Sequence, residues 1–432
     1  MTSPLDHLPP VGARRLAVRV TPDARRQVRG GSPWLYDGSI TSVSGDGAPG
    51  DLAVVFDDDR KFVAIGLWDP TSPIRLKVLH RGAPTAIDAG FWRGVISTAL
   101  DRRSGLAGDG DTTAYRCVHG ENDGLPGLVV DRYDQTLVLK LYTPAWFPHL
   151  AAVVEVLVEL VAPVRIVLRL GRSVAAGDTF GLADGDTIVG SPPDGPVMFR
   201  ERDLTMEADV VHGQKTGHFL DQRDNRALVR SMAGGASVLD VFASTGGFSL
   251  AAAAGGAASV HMIDQSAAAL EAAQRNMAHN RRLGEVRRCA VHATVGDAFV
   301  VLGDLARRRE RFDLVILDPP SFAGNQAAVP RALAAYARLT RLGLGVVKPG
   351  GTIVQASCSS RVGADDFEAA VLSAAASLGA DVHIVRRTGH AVDHPIGFEF
   401  GGYLKAVYLS VRSPGGEPAQ SAGTKNLRIS GS

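Results

Sequence analysis

Between residues 15 and 82 apolar and polar positions alternate in short runs. DLAVVFDD, KFVAIGLWDP and PIRLKVLHRG are each bounded by Asp, Gly or Pro, the period-two signature of strands. The pattern predicts a small all-β domain over 15–83, behind a short N-terminal extension, 1–14. From 84 to 204 a helical pattern, AGFWRGVISTALDRR, precedes strands such as GLVVDRY and TLVLKLY. A second apolar helix over HLAAVVEVLVELV follows, and the turn-rich GLADGDTIVGSPPDGP closes the unit as a boundary or hairpin region. This stretch reads as a β-rich α+β middle domain.

The texture changes over 205–412, where strand-like runs alternate with helical ones. SVLDVF leads into an Ala-rich helix, SVHMID into SAAALEAAQRNMAHNRRLG, and FDLVILDPP into a helix through ALAAYARLTRLGLGVV. ATVGDAF, GTIVQAS, the helix through ADDFEAAVLSAAASLG, DVHIVRRTG and YLKAVYLSVR complete the series. Seven strands are countable, the last two without a helix between them. Apolar strands separated by helices imply an α/β domain with a parallel sheet covered on both faces. The second helix is bounded by Ser266 as N-cap, with Arg275, Arg281 and Arg282 toward its C-terminal end and Gly284 just beyond. The Gly/Ser/Pro-rich tail, 413–432, reads as disordered.

At 432 residues the chain suits two or three domains. With 46 Lys+Arg against 45 Asp+Glu, bulk charge does not announce a nucleic-acid protein, so any basic surface must be local. Cys117, Cys289 and Cys358 are too few and scattered for a disulfide framework or a zinc site, so no metal is expected. The start lacks an apolar segment of signal-peptide length, and no 18-residue apolar run offers a membrane span. A reducing, cytoplasmic setting without a membrane partner is the expectation.

Doubly wound sheets bind ligands beyond the carboxyl ends of their strands. After the first strand comes Asp240-Val-Phe-Ala-Ser-Thr-Gly-Gly-Phe248, whose glycines let backbone approach a ligand beside a helix N-terminus. Asp264 follows the second strand and suits two ribose hydroxyls. Asp297 follows the third and can accept from an exocyclic amine. Asp318-Pro319-Pro320-Ser321-Phe322 follows the fourth. Alone, a glycine pair is ordinarily a helix-packing turn, and a strand-end Asp a solvated acid. In this order at one edge they indicate an adenosine-type cofactor. A nicotinamide dehydrogenase would want G-x-G-x-x-G after the first strand, where the turn reads ASTGGF instead, and gives no reason for DPP. S-adenosylmethionine fits best.

The motif order resembles the class I S-adenosylmethionine-dependent methyltransferases. More narrowly, the chain resembles the bacterial 23S rRNA cytosine-5 methyltransferases with an N-terminal PUA domain. GGSPWLYDGSI (30–40), ENDGLPGLVVDRY (121–133) and GQKTGHFLDQRDNR (213–226) carry the likeness, with VLDVFASTGGFSL, LDPPSF and ASCSSRV as methyltransferase motifs one, four and six. It covers nearly everything but the tail. The resemblance implies a Rossmann-like catalytic sheet behind a PUA-like RNA-binding domain, with RNA as partner; it allows a homodimer and leaves the oligomeric state open. It implies that Asp240, Ser244, Thr245, Gly246, Gly247 and Phe248 line the methionine side of the cofactor, with Asp264 on the ribose and Asp297 on the adenine. Asp318 would sit between cofactor and target base, with Pro319, Pro320 and Phe322 beside that base. Lys215 and Arg223 would lie over the mouth, facing cofactor carboxylate or RNA phosphate.

Cytosine carbon 5 is a poor nucleophile, which explains a thiol at Cys358. Adding a thiolate to carbon 6 creates a carbanion at carbon 5 that can take a methyl group. Asp318 beside ring nitrogen 3 could deliver a proton as the thiol adds. Motif four has no second cysteine, and the base that removes the carbon 5 proton is not evident. Cys117 and Cys289 read as structural. The target base must be unpaired or flipped out. Arg14, Arg15, Arg19, Arg25, Arg26 and Arg29 form a basic stretch consistent with RNA contact. Trp34 and Trp68 read as core. Two alternatives stay open: a same-fold enzyme acting on another base atom, such as a guanine nitrogen, and a non-catalytic RNA-binding assembly factor.

Overall fold

The computed structural model describes residues 4–412; the expected tail, 413–432, lies outside them. The alternating N-terminal runs pair into a six-stranded mixed sheet over 16–81. Leu16–Val20 lies parallel to Leu52–Phe56 and antiparallel to Ile40–Val43. Trp68 is buried in its core.

A five-stranded sheet follows, from Ala114–His119 to Thr187–Val189. The apolar helices Ala89–Asp101 and Leu150–Val161 cover one of its faces, with Trp92 and Trp146 buried against each other at 5.5 Å. This core is continuous with residues of the first sheet such as Ile65 and Leu67. Pro144–Val161 is long and apolar enough to cross a bilayer by length and composition, contrary to the sequence expectation; half of it is buried inside the molecule. The other face of the sheet packs Tyr133, Val138 and Val167 against the hairpin Val197–Glu201/Leu204–Ala208 and the C-terminal unit.

The C-terminal sheet has seven strands: β1 Ser237–Val241, β2 Ser259–Asp264, β3 Ala290–Val295, β4 Phe312–Leu317, β5 Val347–Ser357, β6 Val382–Thr388 and β7 Lys405–Val411. Their spatial order is β3-β2-β1-β4-β5-β7-β6. Helices α1 Arg223–Met232, α2 Gly247–Ala254, α3 Ala267–His279, α4 Ala298–Arg307, α5 Val329–Leu344 and α6 Ala364–Ala376 cover both faces. The sheet is not wholly parallel: β7 runs antiparallel to both β5 and β6. With no crossover helix after β6, the chain can only turn back.

Ser266 caps α3, its hydroxyl accepting from Ala269 N, but the helix ends at His279, short of Arg281 and Arg282. Gly284 instead opens a second short helix, Gly284–Arg288. The physical reason is the hairpin. Buried Asn280 donates to Thr205 O and accepts from Thr205 N, while Asn276 accepts from Glu207 N, so two amides complete the hairpin edge.

The segment between β6 and β7, residues 389–404, is held by a buried charge cluster. Fully buried Asp393 pairs with Arg223 of α1 and accepts from Arg116 N at 2.8 Å; its own carbonyl accepts from buried Arg103. Burial alone would raise the Asp393 carboxyl, but the adjacent His394 ring, the charge of Arg223 and the Arg116 backbone N–H hold it well below the usual range. This corrects the expected place of Arg223: it points inward as a structural cation and not over a ligand. Asp393→Ala leaves Arg223 buried and uncompensated, which should cost about 3–5 kcal/mol. A urea-unfolding midpoint will measure that loss, whereas the exposed-pair variant Arg26→Ala leaves the midpoint unchanged.

Candidate functional site

The carboxyl ends of β1, β2 and β4, together with Cys358 just past β5, open into one cavity of about 1670 Å³. Ligand pockets commonly run about 300–1,000 Å³, so this one has room for more than a single small molecule.

Its cofactor side is the turn after β1. Phe242, Ser244 and Gly246 all adopt positive φ, at 66°, 48° and 76°. At Gly246 a Cβ would come within 2.7 Å of the Ala273 Cβ, so only glycine lets α2 start so close to α3. Asp264 holds this turn: Oδ2 accepts from Ser244 N and Oδ1 from Ser266 N, both at 2.9 Å. Asn276 Nδ2 fixes Thr245 O at 2.9 Å. Asp297 caps α4, accepting from Phe299 N and Val300 N, and takes Gln265 Nε2 on its other oxygen. Each carboxylate oxygen has two lone pairs, so both acids keep acceptor capacity toward a ligand.

Ser244, Thr245, Gly247, Phe248, Asp264 and Asp297 line the cavity; Asp240 and Gly246 do not. Asp240 lies beneath the turn, where one oxygen accepts from Ser249 N and Oγ and the other has no partner. Burial, with the charge of Asp264 adding, pushes its carboxyl up to about 6. Strand-end acids with spare acceptor capacity beside a glycine turn at a helix N-terminus are a set that fits S-adenosylmethionine.

The other side brings together Lys215, Asp318, Pro319, Pro320, Phe322 and Cys358. Cys358 follows the last residue of β5, and its thiol donates to Pro319 O at 3.8 Å, joining motifs four and six. Its loop is rigidly held. Ser359 Oγ sits between Ser321 Oγ and the Tyr336 hydroxyl, each 3.0 Å away. Lys405 Nζ donates to the carbonyls of Ser359, Val362 and Tyr403. Burial first, then the charge of Asp318, pushes the Cys358 thiol up to about 11. Buried Cys117 lies higher still, at about 12.

Asp318 is itself raised to about 7, by burial and then by the charge of Asp221. Burial works against a charge on Asp221, yet Lys215 Nζ at 2.8 Å and the Tyr403 hydroxyl at 2.7 Å hold it far below the usual range. His218, from the same 213–226 block, is kept neutral, its pKa lowered to about 3 by burial and by Arg226. Asp221, His218, Lys405 and Tyr403 were not singled out from sequence. The first two sat in a quoted motif, but Tyr403 and Lys405 carry no local signal.

Two further expectations shift. Trp34 is only half-buried and lines the cavity, its indole N–H donating to Glu121 at 3.1 Å. Within the basic stretch Arg25, Arg26 and Arg29 face Asp58, Asp23 and Asp57, so only part of it is uncompensated.

Residues 127–408 match the S-adenosylmethionine-dependent methyltransferase family, and residues 18–81 match the PUA-like domain. A ribosomal RNA large subunit methyltransferase of Deinococcus radiodurans is 46% identical over 410 residues, 93% of this chain and 99% of that protein. Ribosomal RNA large subunit methyltransferase I of Shewanella amazonensis is 33% identical, over 92% of this chain and 99% of its own length. A solved methyltransferase complexed with SAH matches with a TM-score of 0.78 at 19% identity, covering 92% of this chain and all of its own; at that identity the likeness is one of fold. The chain belongs to the family of S-adenosylmethionine-dependent methyltransferases that includes these ribosomal RNA large subunit methyltransferases and carries an N-terminal PUA-like domain.

Proposed function

We propose that the protein methylates carbon 5 of a cytosine in the 23S RNA of the large ribosomal subunit, through a covalent adduct with Cys358. The observation that carries this reading is the contact between the Cys358 thiol and the Asp318-Pro319 loop, on the wall of the cavity that the glycine turn enters. Relatives named for ribosomal RNA methylation support the substrate class. A guanine-nitrogen enzyme would have no use for this thiol.

S-adenosylmethionine supplies a methyl group on a sulfonium. Backbone of Ser244 to Gly247, with Phe248, would hold its methionine end, Asp264 its ribose and Asp297 its adenine. Pro319, Pro320 and Phe322 wall the base, and Lys215 faces the mouth. Cys358 Sγ bonds to carbon 6 while Asp318 delivers its proton to ring nitrogen 3, leaving the electron pair on carbon 5. Carbon 5 would take the methyl while the sulfur keeps the bonding pair and leaves as S-adenosylhomocysteine. Loss of the carbon 5 proton to solvent then re-forms the 5,6 double bond and expels the Cys358 thiolate, and ring nitrogen 3 returns its proton to Asp318. An acid near 7 suits this duty, because it is protonated often enough to donate at neutral pH. The first sheet, 15–83, and the middle unit, 84–204, serve to grip RNA around the catalytic unit, 205–412.

Cys358→Ala should abolish 5-methylcytidine formation, read by nucleoside mass spectrometry of rRNA, while calorimetric cofactor binding is kept. Full activity in that variant would exclude the adduct. Asp318→Asn should lower kcat by about 10²–10⁴-fold. The pH profile carries a sign. The reactive pair is protonated Asp318 with ionised Cys358, so kcat rises with pH up to about 7 and is then flat toward 11. In Asp318→Asn only thiol ionisation remains, and the rise continues past 7. A wild-type profile that falls with rising pH below 7 would contradict the assignment.

A further inference from the structure

Part of the cavity wall is made of aromatic side chains that the chemical steps do not use. They come from three separate parts of the chain. Trp34 belongs to the first sheet, Tyr142 follows the strand Thr136–Leu141, and Phe398 and Phe400 lie between β6 and β7. Tyr142 is 52% exposed and Phe400 71% exposed. Trp34 and Phe398 meet edge to face at 5.0 Å.

The loop that presents Phe400 is built. Asn122 Oδ1 accepts from Gly397 N at 2.7 Å and Asn122 Nδ2 donates to Gly401 O, so one amide ties both ends of the segment. A Cβ at Gly397 would lie 2.8 Å from Asn122 O, so the approach requires glycine. A large aromatic held toward solvent on an anchored backbone marks a contact surface more than a loose loop tip.

Charge tells what covers it. Lys140 Nζ stands 5.5 Å from the Tyr142 ring centre, Lys215 Nζ 4.3 Å from that of Phe219, and exposed Arg172 lines the same wall. The acids there are engaged, Glu121 by Trp34 and Asp184 by Arg169; Lys215 is held by Asp221, which leaves Lys140 and Arg172, without a carboxylate partner among the described residues, to face phosphate. Cations beside the exposed rings of Tyr142 and Phe400, with half-buried Trp34 on the same wall, match unpaired nucleic acid, which offers phosphates and free base faces together; a duplex hides its faces.

We propose that Trp34, Tyr142 and Phe400 are a stacking wall for the unpaired nucleotides flanking the target base, so that the RNA enters as a single-stranded segment. The inference rests on the RNA methyltransferase reading and specifies how its substrate is held.

The test uses the full chain and a short, unstructured, fluorescein-labelled oligoribonucleotide with one central cytidine, followed by anisotropy. Tyr142→Ala, Phe400→Ala and Trp34→Ala should each weaken binding about tenfold, while Tyr142→Phe and Phe400→Tyr bind as wild type. Calorimetric binding of S-adenosylhomocysteine checks that each variant is folded. Abasic residues beside the cytidine should weaken the wild type by a similar factor and Phe400→Ala no further. Unchanged affinity in the alanine variants, or equal binding of the same sequence as a duplex, would overturn the wall. Methyl transfer to rRNA is scored separately. Active wild type with indifferent aromatic variants defeats only the wall; stacking-dependent binding without methyl transfer supports the wall and defeats the methyltransferase reading.

Discussion

A carboxylate with no water around it must be matched or the fold cannot hold it, and Asp393 is that carboxylate. Arg223 from the catalytic unit and the Arg116 backbone from the middle sheet converge on it, and Arg103 binds its carbonyl. Fixing Asp393 fixes the segment between β6 and β7. That segment brings Tyr403 to Asp221, and the Asp221 charge bears on Asp318. The electrostatics around Asp318 are therefore set partly by a charge cluster that does not line the cavity at Arg223 or Asp393.

The three acidic groups beyond that cluster form a graded series. Asp221 is kept ionised by Lys215, Asp318 is raised to about 7 in its shadow, and Cys358 to about 11 beside Asp318. Burial raises Asp318 and Cys358 first, and like charges close together cannot all ionise, so the three groups separate into an anion, a carboxyl near 7 and a protonated thiol. No dedicated base is needed to establish that order.

Much of this was legible in the residues. Period-two runs forecast the small sheets, and the strand-helix alternation forecast the α/β unit, because both express local side-chain periodicity. The strand-end motifs DVFASTGGF, Asp264, Asp297 and DPPSF also read correctly as one edge, since topology forces strand ends together. What did not read was set by distant partners. Arg223 looked like a ligand cation until Asp393, far along the chain, claimed it. Helix α3 stopped at His279 because Asn280 serves a hairpin some seventy residues earlier. Asp240 belonged to a motif yet sits under the turn, since Ser249 draws it inward. Trp34 passed for core because a half-buried indole on a cavity wall has the same sequence signature as a buried one.

The elevated thiol has one more consequence. Peroxides and electrophiles attack thiolates, and a group near 11 is almost entirely protonated at neutral pH. Cys358 can therefore face an open cavity without being consumed by the oxidants of its surroundings. The same burial that keeps the thiol protonated at rest thereby shields it.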